Sequence, residues 1–188
     1  MSVRLYFSRT AAGYVAAAWS ERGLLGLSFP QATREEARAL LAAGGVPLSG
    51  AAASAGEEEL HLLLEENLCA YFAGRAVDFS AVPVDFSPYT PFVARVLEFV
   101  RSIGYGELWS YGQVAAALGV PGAARAVGRA LGQNRTPLVV PCHRVLTREG
   151  GLGGFSGGLD LKRRLLELEG HRPGPGGRYQ LTKVFCVG

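Results

Sequence analysis

Three short runs near the start of the chain alternate apolar residues with polar or small ones. Val3–Phe7, Tyr14–Trp19 and Leu24–Phe29 have the length and the β-branched or aromatic content of strands. Ser20–Gly23, between the last two runs, is typical of a turn. The pattern therefore predicts a small sheet at the start of the chain.

Helical spacing replaces this alternation further along. Thr33 and Glu36 form a capping-box pair that predicts the start of one helix. After Gly44–Gly56, a connector rich in small residues, apolar residues recur at helical spacing over Leu60–Tyr71, and Gly74 is placed to end that helix. The sheet is therefore expected to pack with two helices.

The proline-containing segment Val82–Tyr89 marks the predicted domain boundary. We divide the chain into an N-terminal domain over 1–86, a C-terminal domain over 87–171 and a tail of unknown role over 172–188. An apolar helical stripe over Phe92–Ile103 is interpreted as core support rather than as a site.

A helix-turn-helix pattern follows that stripe. The capping box Ser110–Gln113 opens one helix, Gly119–Gly122 turns the chain, and a second helix is predicted over about Gly122–Gln133. The hundred-degree step places Arg125 and Arg129 opposite the apolar face of this second helix. A DNA-docking element fits this pattern, and so does an ordinary pair of helices with solvated arginines.

Small residues surround the two arginines, although each helical glycine costs up to about 1 kcal/mol relative to alanine. A bare helix can lie close against a sugar-phosphate backbone, but this one lacks the Asn, Gln or Lys that read base edges. We therefore predict DNA binding that is largely blind to sequence. One arginine would fill the gap that an extruded base leaves in the stack.

Composition and charge narrow the function classes. No stretch approaches the roughly 18 unbroken apolar residues of a membrane-spanning helix, and Met1–Leu5 does not open a signal peptide, so we expect a soluble intracellular protein. Three widely spaced cysteines indicate neither a disulfide framework nor a zinc site. Residues 1–85 hold 6 Lys/Arg and 10 Asp/Glu, a net charge of −4, whereas residues 86–188 hold 13 and 6, a net charge of +7. The basic half favours a polyanionic partner, with a solvated basic surface as the alternative.

The candidate nucleophile is Cys142, in the sequence Pro-Cys-His-Arg-Val. The apolar run Leu138–Val140 predicts a buried strand that presents the thiol at its end. A thiol needs a base or a positive field to react at neutral pH, and His143 and Arg144 supply both. Neighbours on a strand face opposite ways, so His143 is expected to act through a bridging water.

Two segments after the cysteine complete the predicted site. Glu169 follows an amphipathic helix over Leu159–Leu168, at the negative end of the helix dipole, where a carboxylate needs a compensating group such as His143. An exposed glutamate at a frayed helix end fits that position as well. The loop Gly150–Gly158 holds six glycines and Phe155, which predicts a mobile wall able to sandwich a flat ligand, or simply a flexible loop.

Four features together resemble the 6-O-alkylguanine-DNA alkyltransferases: the Pro-Cys-His-Arg-Val sequence, the helix around Ala123–Gly128, Asn134 and Ser156–Gly158. The resemblance runs over about Phe92–Gly170. It implies an α+β fold, with an N-terminal ribonuclease-H-like small sheet with helices. The implied C-terminal domain is mostly helical and winged-helix-like, and it carries the helix-turn-helix and the active-site cysteine.

The implied activity is DNA repair by one irreversible alkyl transfer to Cys142. The alkyl group, such as methyl, would leave oxygen-6 of a flipped-out guanine, with oxygen-4 of thymine as a second candidate position. By resemblance His143 acts as the base through water, and Glu169 orients it. Asn134 would tie the recognition helix to the active-site segment, and Tyr111 would help rotate the nucleotide and donate towards the base.

The resemblance also implies the DNA and substrate contacts. Arg125 would occupy the vacated stack, Arg148 would be a further DNA contact, and the minor groove would be lined by Ala124, Ala126 and Gly128. The guanine edge would meet the carbonyls of Cys142 and Val145 and the amide of Ser156. Phe155 would stack on the base where many relatives have tyrosine.

The implied partner is double-stranded DNA, bound through its minor groove with little sequence preference. No metal, cofactor or membrane is expected, and the protein is expected to be a monomer in the cytoplasm, or in the nucleus if its source is eukaryotic.

Two other classes share some of these features. A lesion-sensing DNA-binding protein would keep the DNA-docking body without transfer, but relatives of that class replace the cysteine. An acyl hydrolase built on Cys, His and Glu would need an oxyanion hole, and it gives the arginine-bearing helix no role.

Overall fold

The N-terminal unit is built on an antiparallel sheet with two helices. The computed structural model describes residues 3–48 and 55–182, and the chain packs as two units, residues 1–88 with 135–139 and residues 89–134 with 140–188. In the first unit the elements are β1 (Arg4–Thr10), β2 (Gly13–Ser20), β3 (Gly23–Leu27), α1 (Arg34–Ala43) and α2 (Ala55–Phe72). The strands follow the order β1-β2-β3, which confirms the predicted sheet with shifted strand ends.

Local sequence sets the ends of these elements. Thr33 Oγ1 accepts a hydrogen bond from the Glu36 amide at 3.1 Å, and Glu36 Oε2 accepts one from the Thr33 amide at 3.3 Å, so the predicted capping box is present. One face of the sheet packs on α1 through a core that includes Ala16, Leu25 and Leu41. Residues 49–54 of the predicted connector lie outside the described residues.

The second unit is mostly helical. Its elements are α3 (Pro91–Arg101), β4 (Trp109–Ser110), α4 (Tyr111–Ala117), α5 (Ala124–Leu131), β5 (Val145–Leu146) and α6 (Leu159–Leu168). The strands β4 and β5 pair in parallel, with Trp109 opposite Val145. The predicted apolar stripe of α3 is confirmed, since Val93, Val96, Leu97 and Val100 are buried. The α+β fold is thus confirmed.

Two predictions about residues 122–144 are wrong in detail. The recognition helix begins at Ala124 rather than Gly122, because Gly122 has a φ of +88° and closes the preceding turn. Leu138–Val140 is buried but is not a strand, since Leu138 has a φ of +72°, which no extended strand allows. Cys142 then opens a single 3-10 turn over Cys142–Arg144 instead of ending a strand.

None of the helices within residues 3–48 and 55–182 combines the length and the apolar character needed to cross a membrane.

Candidate active site

Cys142 lies at the first position of the 3-10 turn and is 6% exposed. Its Sγ accepts a hydrogen bond from Asn134 Nδ2 at 3.1 Å, and the same amide nitrogen donates to the Val140 carbonyl at 2.9 Å. Asn134 follows the C-terminal end of α5. One amide group therefore connects the end of the recognition helix to both the thiol and the backbone before it.

The surroundings of the thiol act on its pKa in opposite directions. Burial raises the pKa of Cys142 above its ordinary value, whereas the hydrogen bond from Asn134, the charge of Lys162 and nearby backbone amides lower it. Burial is the larger effect. The resting thiol is therefore protonated at neutral pH, and its proton has to leave during any nucleophilic step.

His143, Arg144 and Glu169 form a buried network, and its first two members directly follow Cys142 in the chain. His143 Nε2 is 2.7 Å from Glu169 Oε1, and the Arg144 guanidinium donates to both carboxylate oxygens, at 2.9 Å from Nε and 3.0 Å from Nη2. Arg144 Nη1 also donates to the Ile103 carbonyl at 2.6 Å. Glu169 is thus buried rather than exposed at a frayed helix end, and Arg144 directs its charge at this carboxylate.

The network determines the protonation states of its members. Burial alone would raise the pKa of Glu169, but the hydrogen bonds and charges of His143 and Arg144 outweigh burial and hold that pKa well below its usual range. Burial lowers the pKa of His143 despite the opposing effect of Glu169. An ionised carboxylate only accepts hydrogen bonds, so Nε2 of the neutral imidazole carries the proton and Nδ1 is its basic nitrogen.

Lys162 is a functional candidate that the sequence analysis did not find. It is fully buried in α6, and its Nζ donates to the carbonyls of Val145 at 2.7 Å and Leu152 at 2.6 Å. Burial lowers the pKa of Lys162 to about 8, and the nearby Cys142 opposes that shift. Lys162 precedes Glu169 by seven residues, which is two turns along the same helical face. This spacing is the feature of the sequence from which Lys162 could have been predicted to lie near the site.

A cavity of about 980 Å³ opens beside the thiol. Eight of the predicted site residues line it, namely Tyr111, Ala124, Arg125, Gly128, Cys142, Arg148, Phe155 and Ser156. His143, Glu169, Asn134, Ala126 and Val145 are not among its lining residues. Thr147 lines the cavity and was not predicted. The volume falls within the range of small-molecule sites, about 300–1,000 Å³.

The walls of this cavity come from α4, α5 and the glycine loop. The Tyr111 hydroxyl is 3.4 Å from the Gly154 carbonyl, and Lys162 Nζ lies 5.6 Å from the centre of the Phe155 ring. Burial raises the pKa of Tyr111, followed by the charge of Cys142, so its hydroxyl stays protonated. Phe155 is half-buried and Ser156 is exposed. The arrangement places two aromatic rings and a proton donor around the entrance to the thiol.

On α5, both arginines are exposed while Val127, Ala130 and Leu131 are buried. The ring carbons of Tyr111 are 3.7 and 3.8 Å from the position that a Cβ would take at Gly128. Arg148, after β5, is also exposed. Arg125, Arg129 and Arg148 therefore contribute three exposed basic side chains to the lining of the cavity.

Among the described residues, no three His, Cys, Asp or Glu side chains are grouped closely enough to hold a metal ion.

Known proteins match both the C-terminal half and most of the fold. Residues 91–171 match the family model for the 6-O-methylguanine DNA methyltransferase, DNA binding domain. A methylated-DNA–protein-cysteine methyltransferase of Mycobacterium tuberculosis is 49% identical over 107 residues, which are 57% of this chain and 64% of that relative. The chain thus matches less than two thirds of the length of this curated relative.

Solved structures match over a longer part of the chain. A crystal structure of the Mycobacterium tuberculosis O6-methylguanine methyltransferase aligns with a TM-score of 0.66 and 35% identity, covering 89% of this chain and 92% of that one. A structure of the OGT protein of the same organism in complex with DNA aligns with a TM-score of 0.64 and 35% identity, covering 90% and 92%. Since nearly all of a relative at this identity is covered, the chain belongs to the 6-O-methylguanine DNA methyltransferase family.

Proposed function

We propose that this protein repairs DNA by transferring an alkyl group, such as methyl, from oxygen-6 of guanine to Cys142. The observation that carries the proposal is the thiol itself, which lines an open cavity and is followed in the chain by a histidine whose neutral imidazole Glu169 holds in one tautomer. The family match and the names of the relatives agree with this chemistry. The product is a thioether, so each molecule acts once.

The transfer step conserves atoms and charge as follows. The Cys142 proton passes through a bridging water to His143, whose protonated ring Glu169 then stabilises. The sulfur attacks the alkyl carbon, the carbon–sulfur bond forms, and the carbon–oxygen bond to guanine breaks. The guanine anion that leaves takes up one proton at the base, for which the Tyr111 hydroxyl is the candidate donor, and solvent exchange restores the remaining protonation states.

The substrate in this proposal is a guanine rotated out of the duplex into the cavity. Phe155 stacks on its ring, and the Ser156 amide and the carbonyls of Cys142 and Val145 meet its edge. The Val145 carbonyl already accepts from Lys162 and uses its second lone pair for the base. Oxygen-4 of thymine is a further candidate position on the same grounds.

The partner in this proposal is double-stranded DNA. Arg125 enters the stack as the base leaves, while the backbone around Ala124, Ala126 and Gly128 lies along the minor groove. Arg148 adds a phosphate contact. Because α5 presents arginines and small residues rather than base-reading amides, binding depends little on sequence. We propose a monomer that acts in the cytoplasm.

The first experiment is mass spectrometry of the intact protein and its peptides after incubation with duplex DNA carrying one 6-O-methylguanine. We expect one added methyl per protein, on the peptide with Cys142, and none in Cys142→Ser. Tight binding to the lesion without a mass change would reject transfer and move the protein to the lesion-sensing class. Neither binding nor transfer would reject both functions.

A further inference from the structure

Residues 178–182, which we call the C-terminal strap, bind to two walls of the cavity region without lining the cavity. Tyr179 is 5% exposed and packs in a core with Leu108, Leu146 and Leu166. Leu181 packs against the same core. The buried side chain of Tyr179 thus fixes this short segment to the core of the C-terminal unit.

The first connection of the strap is to the glycine loop. The Tyr179 amide donates to the Gly150 carbonyl at 2.8 Å. Gly150 has a φ of +78°, and a Cβ there would collide with the Tyr179 backbone, so only glycine allows this approach. Gly150 lies inside the tight Thr147–Gly151 turn, in which the Thr147 amide donates to the Gly151 carbonyl and the Gly151 amide donates to Thr147 Oγ1.

The second connection is to the start of α4. The Thr182 carbonyl accepts from Gln113 Nε2 at 3.2 Å, while Gln113 Oε1 accepts from the Ser110 amide at 2.7 Å. Leu108 and Thr182 exchange two further hydrogen bonds, at 2.7 and 2.9 Å. The strap therefore holds the capping box that fixes the first residue of α4, which is Tyr111.

The glycine loop depends on such anchors because it has little order of its own. Six of the nine residues over 150–158 are glycine, and glycine loses more backbone freedom on ordering than any other residue. Lys162 fixes one point of the loop through the Leu152 carbonyl, and the strap fixes its start. The strap thus contacts both the loop that carries Phe155 and the start of the helix that carries Tyr111.

We infer that the C-terminal strap is a positioning element for alkyl transfer, with Tyr179 and Thr182 as positioning residues. It sets the spacing between the glycine loop and Tyr111 before a flat base enters, which removes part of the ordering cost of binding. The inference rests on the proposed function. It assigns a role to part of the 172–188 tail, of which residues 183–188 lie outside the described residues.

The decisive variant is Gln113→Glu in the full chain. A glutamate keeps the acceptor for the Ser110 amide but turns an oxygen towards the Thr182 carbonyl, so the capping box stays and the strap contact is lost. With free 6-O-benzylguanine as the probe, we expect the half-saturating concentration to rise about tenfold, the effect of one hydrogen bond. The saturating rate stays within about twofold, because the groups behind Cys142 are untouched.

Gln133→Glu is the matched control, since it adds the same charge to the same helix-turn-helix at an exposed position. We expect wild-type half-saturation with the free base for this variant.

Thr182→Val provides a second test if Gln113→Glu folds poorly. It removes only the hydroxyl that accepts from the Leu108 amide, and we expect faster amide exchange over 150–156 together with weaker base binding. A loss of thermal stability with unchanged half-saturation in both variants would overturn the inference. Failure of the wild-type protein to label Cys142 would instead reject the proposed function.

Discussion

The surroundings of Cys142 and the exposed face of α5 are built in opposite ways, although both serve the same proposed reaction. Around the thiol, the ionisable side chains of His143, Arg144, Lys162 and Glu169 are nearly or fully buried and are hydrogen-bonded to one another or to backbone carbonyls. On α5, the arginines are exposed and surrounded by small residues. In the proposed reaction, the chemistry would use buried polar groups, whereas docking on DNA would use a helix face that carries few side chains besides its arginines.

This difference predicts how each region responds to change. Removal of one member of a buried ion pair strongly destabilises a protein, because the remaining charge stays unpaired in a low-dielectric interior. An exposed arginine contributes little to folding, so its removal affects only the partner that it contacts. Variants of the buried network around Cys142 should therefore change both the free energy of unfolding and the rate of alkyl transfer. Variants of the exposed arginines on α5 should change DNA repair without changing the free energy of unfolding.

The largest expected effect is that of Glu169→Gln. The amide keeps the shape of the carboxylate but leaves the Arg144 charge unpaired, and we expect a loss of about 3–5 kcal/mol in the free energy of unfolding. Urea denaturation at pH 7 measures this loss. Glu167→Gln, an exposed position on α6, is the control and should change stability by less than about 0.5 kcal/mol.

The same comparison predicts a pH dependence. The folded-state pKa of Glu169 is lowered, so its stabilising contribution is complete above the unfolded value of about 4.3 and is lost as the pH falls below it. The wild-type protein should lose this stability in acid, and Glu169→Gln should lack that part of the loss. Parallel acid profiles for the two proteins would contradict the role of the buried pair.

The next effect concerns Arg125→Ala, which tests the exposed region. We expect repair of a duplex lesion to slow about 100-fold, since flipping a base costs a few kcal/mol and occurs only in a duplex. The reaction with free alkylguanine base should keep its rate, and stability should not change. Arg129→Ala, one turn further along the same face, is the control and should weaken DNA binding without this selectivity for the duplex.

Equal slowing of Arg125→Ala on duplex and free base would remove the flipping role. It would also erase the difference between the two regions, since a docking residue would then act on the chemistry.

Sequence reasoning predicted the exposed region better than the buried one. The two faces of α5 and the capping box at Ser110 follow from local spacing, and the structure has both. The strand predicted over Leu138–Val140 is absent, because Leu138 has a left-handed backbone that its side-chain type does not predict.

Lys162 illustrates the same limit. A lysine in an amphipathic helix is normally solvated, and only the tertiary fold brings the Val145 and Leu152 carbonyls to its amine. The position of Glu169 at the negative end of the helix dipole predicts its contact with His143. The two hydrogen bonds from Arg144 to the same carboxylate depend on a tertiary geometry that residue spacing does not predict.

Lys162→Met tests whether the Lys162 amine in the buried surroundings of Cys142 is shielded from water. The folded-state pKa of Lys162 is about 8, below the unfolded value of about 10.4, so the protein gains stability as the pH rises between them. We expect the wild-type protein to gain up to about 2 kcal/mol relative to Lys162→Met between pH 8 and 10. Unfolding titrations of both proteins measure this gain, and a constant difference across that range would show that the amine is not desolvated.

The smallest effect is that of Gly128→Ala, and it tests whether α5 is bare for a reason. The added Cβ meets the Tyr111 ring at 3.7 Å, an ordinary contact, so the fold accepts it. Helix propensity should then raise the free energy of unfolding by about 0.5–1 kcal/mol. If the bare surface serves close approach to DNA, the same methyl group should weaken binding to undamaged duplex DNA several-fold while the reaction with free base keeps its rate. A variant that gains stability and also keeps full DNA affinity would mean that the glycine has no docking role, and the contrast between the two regions would then rest on the arginines alone.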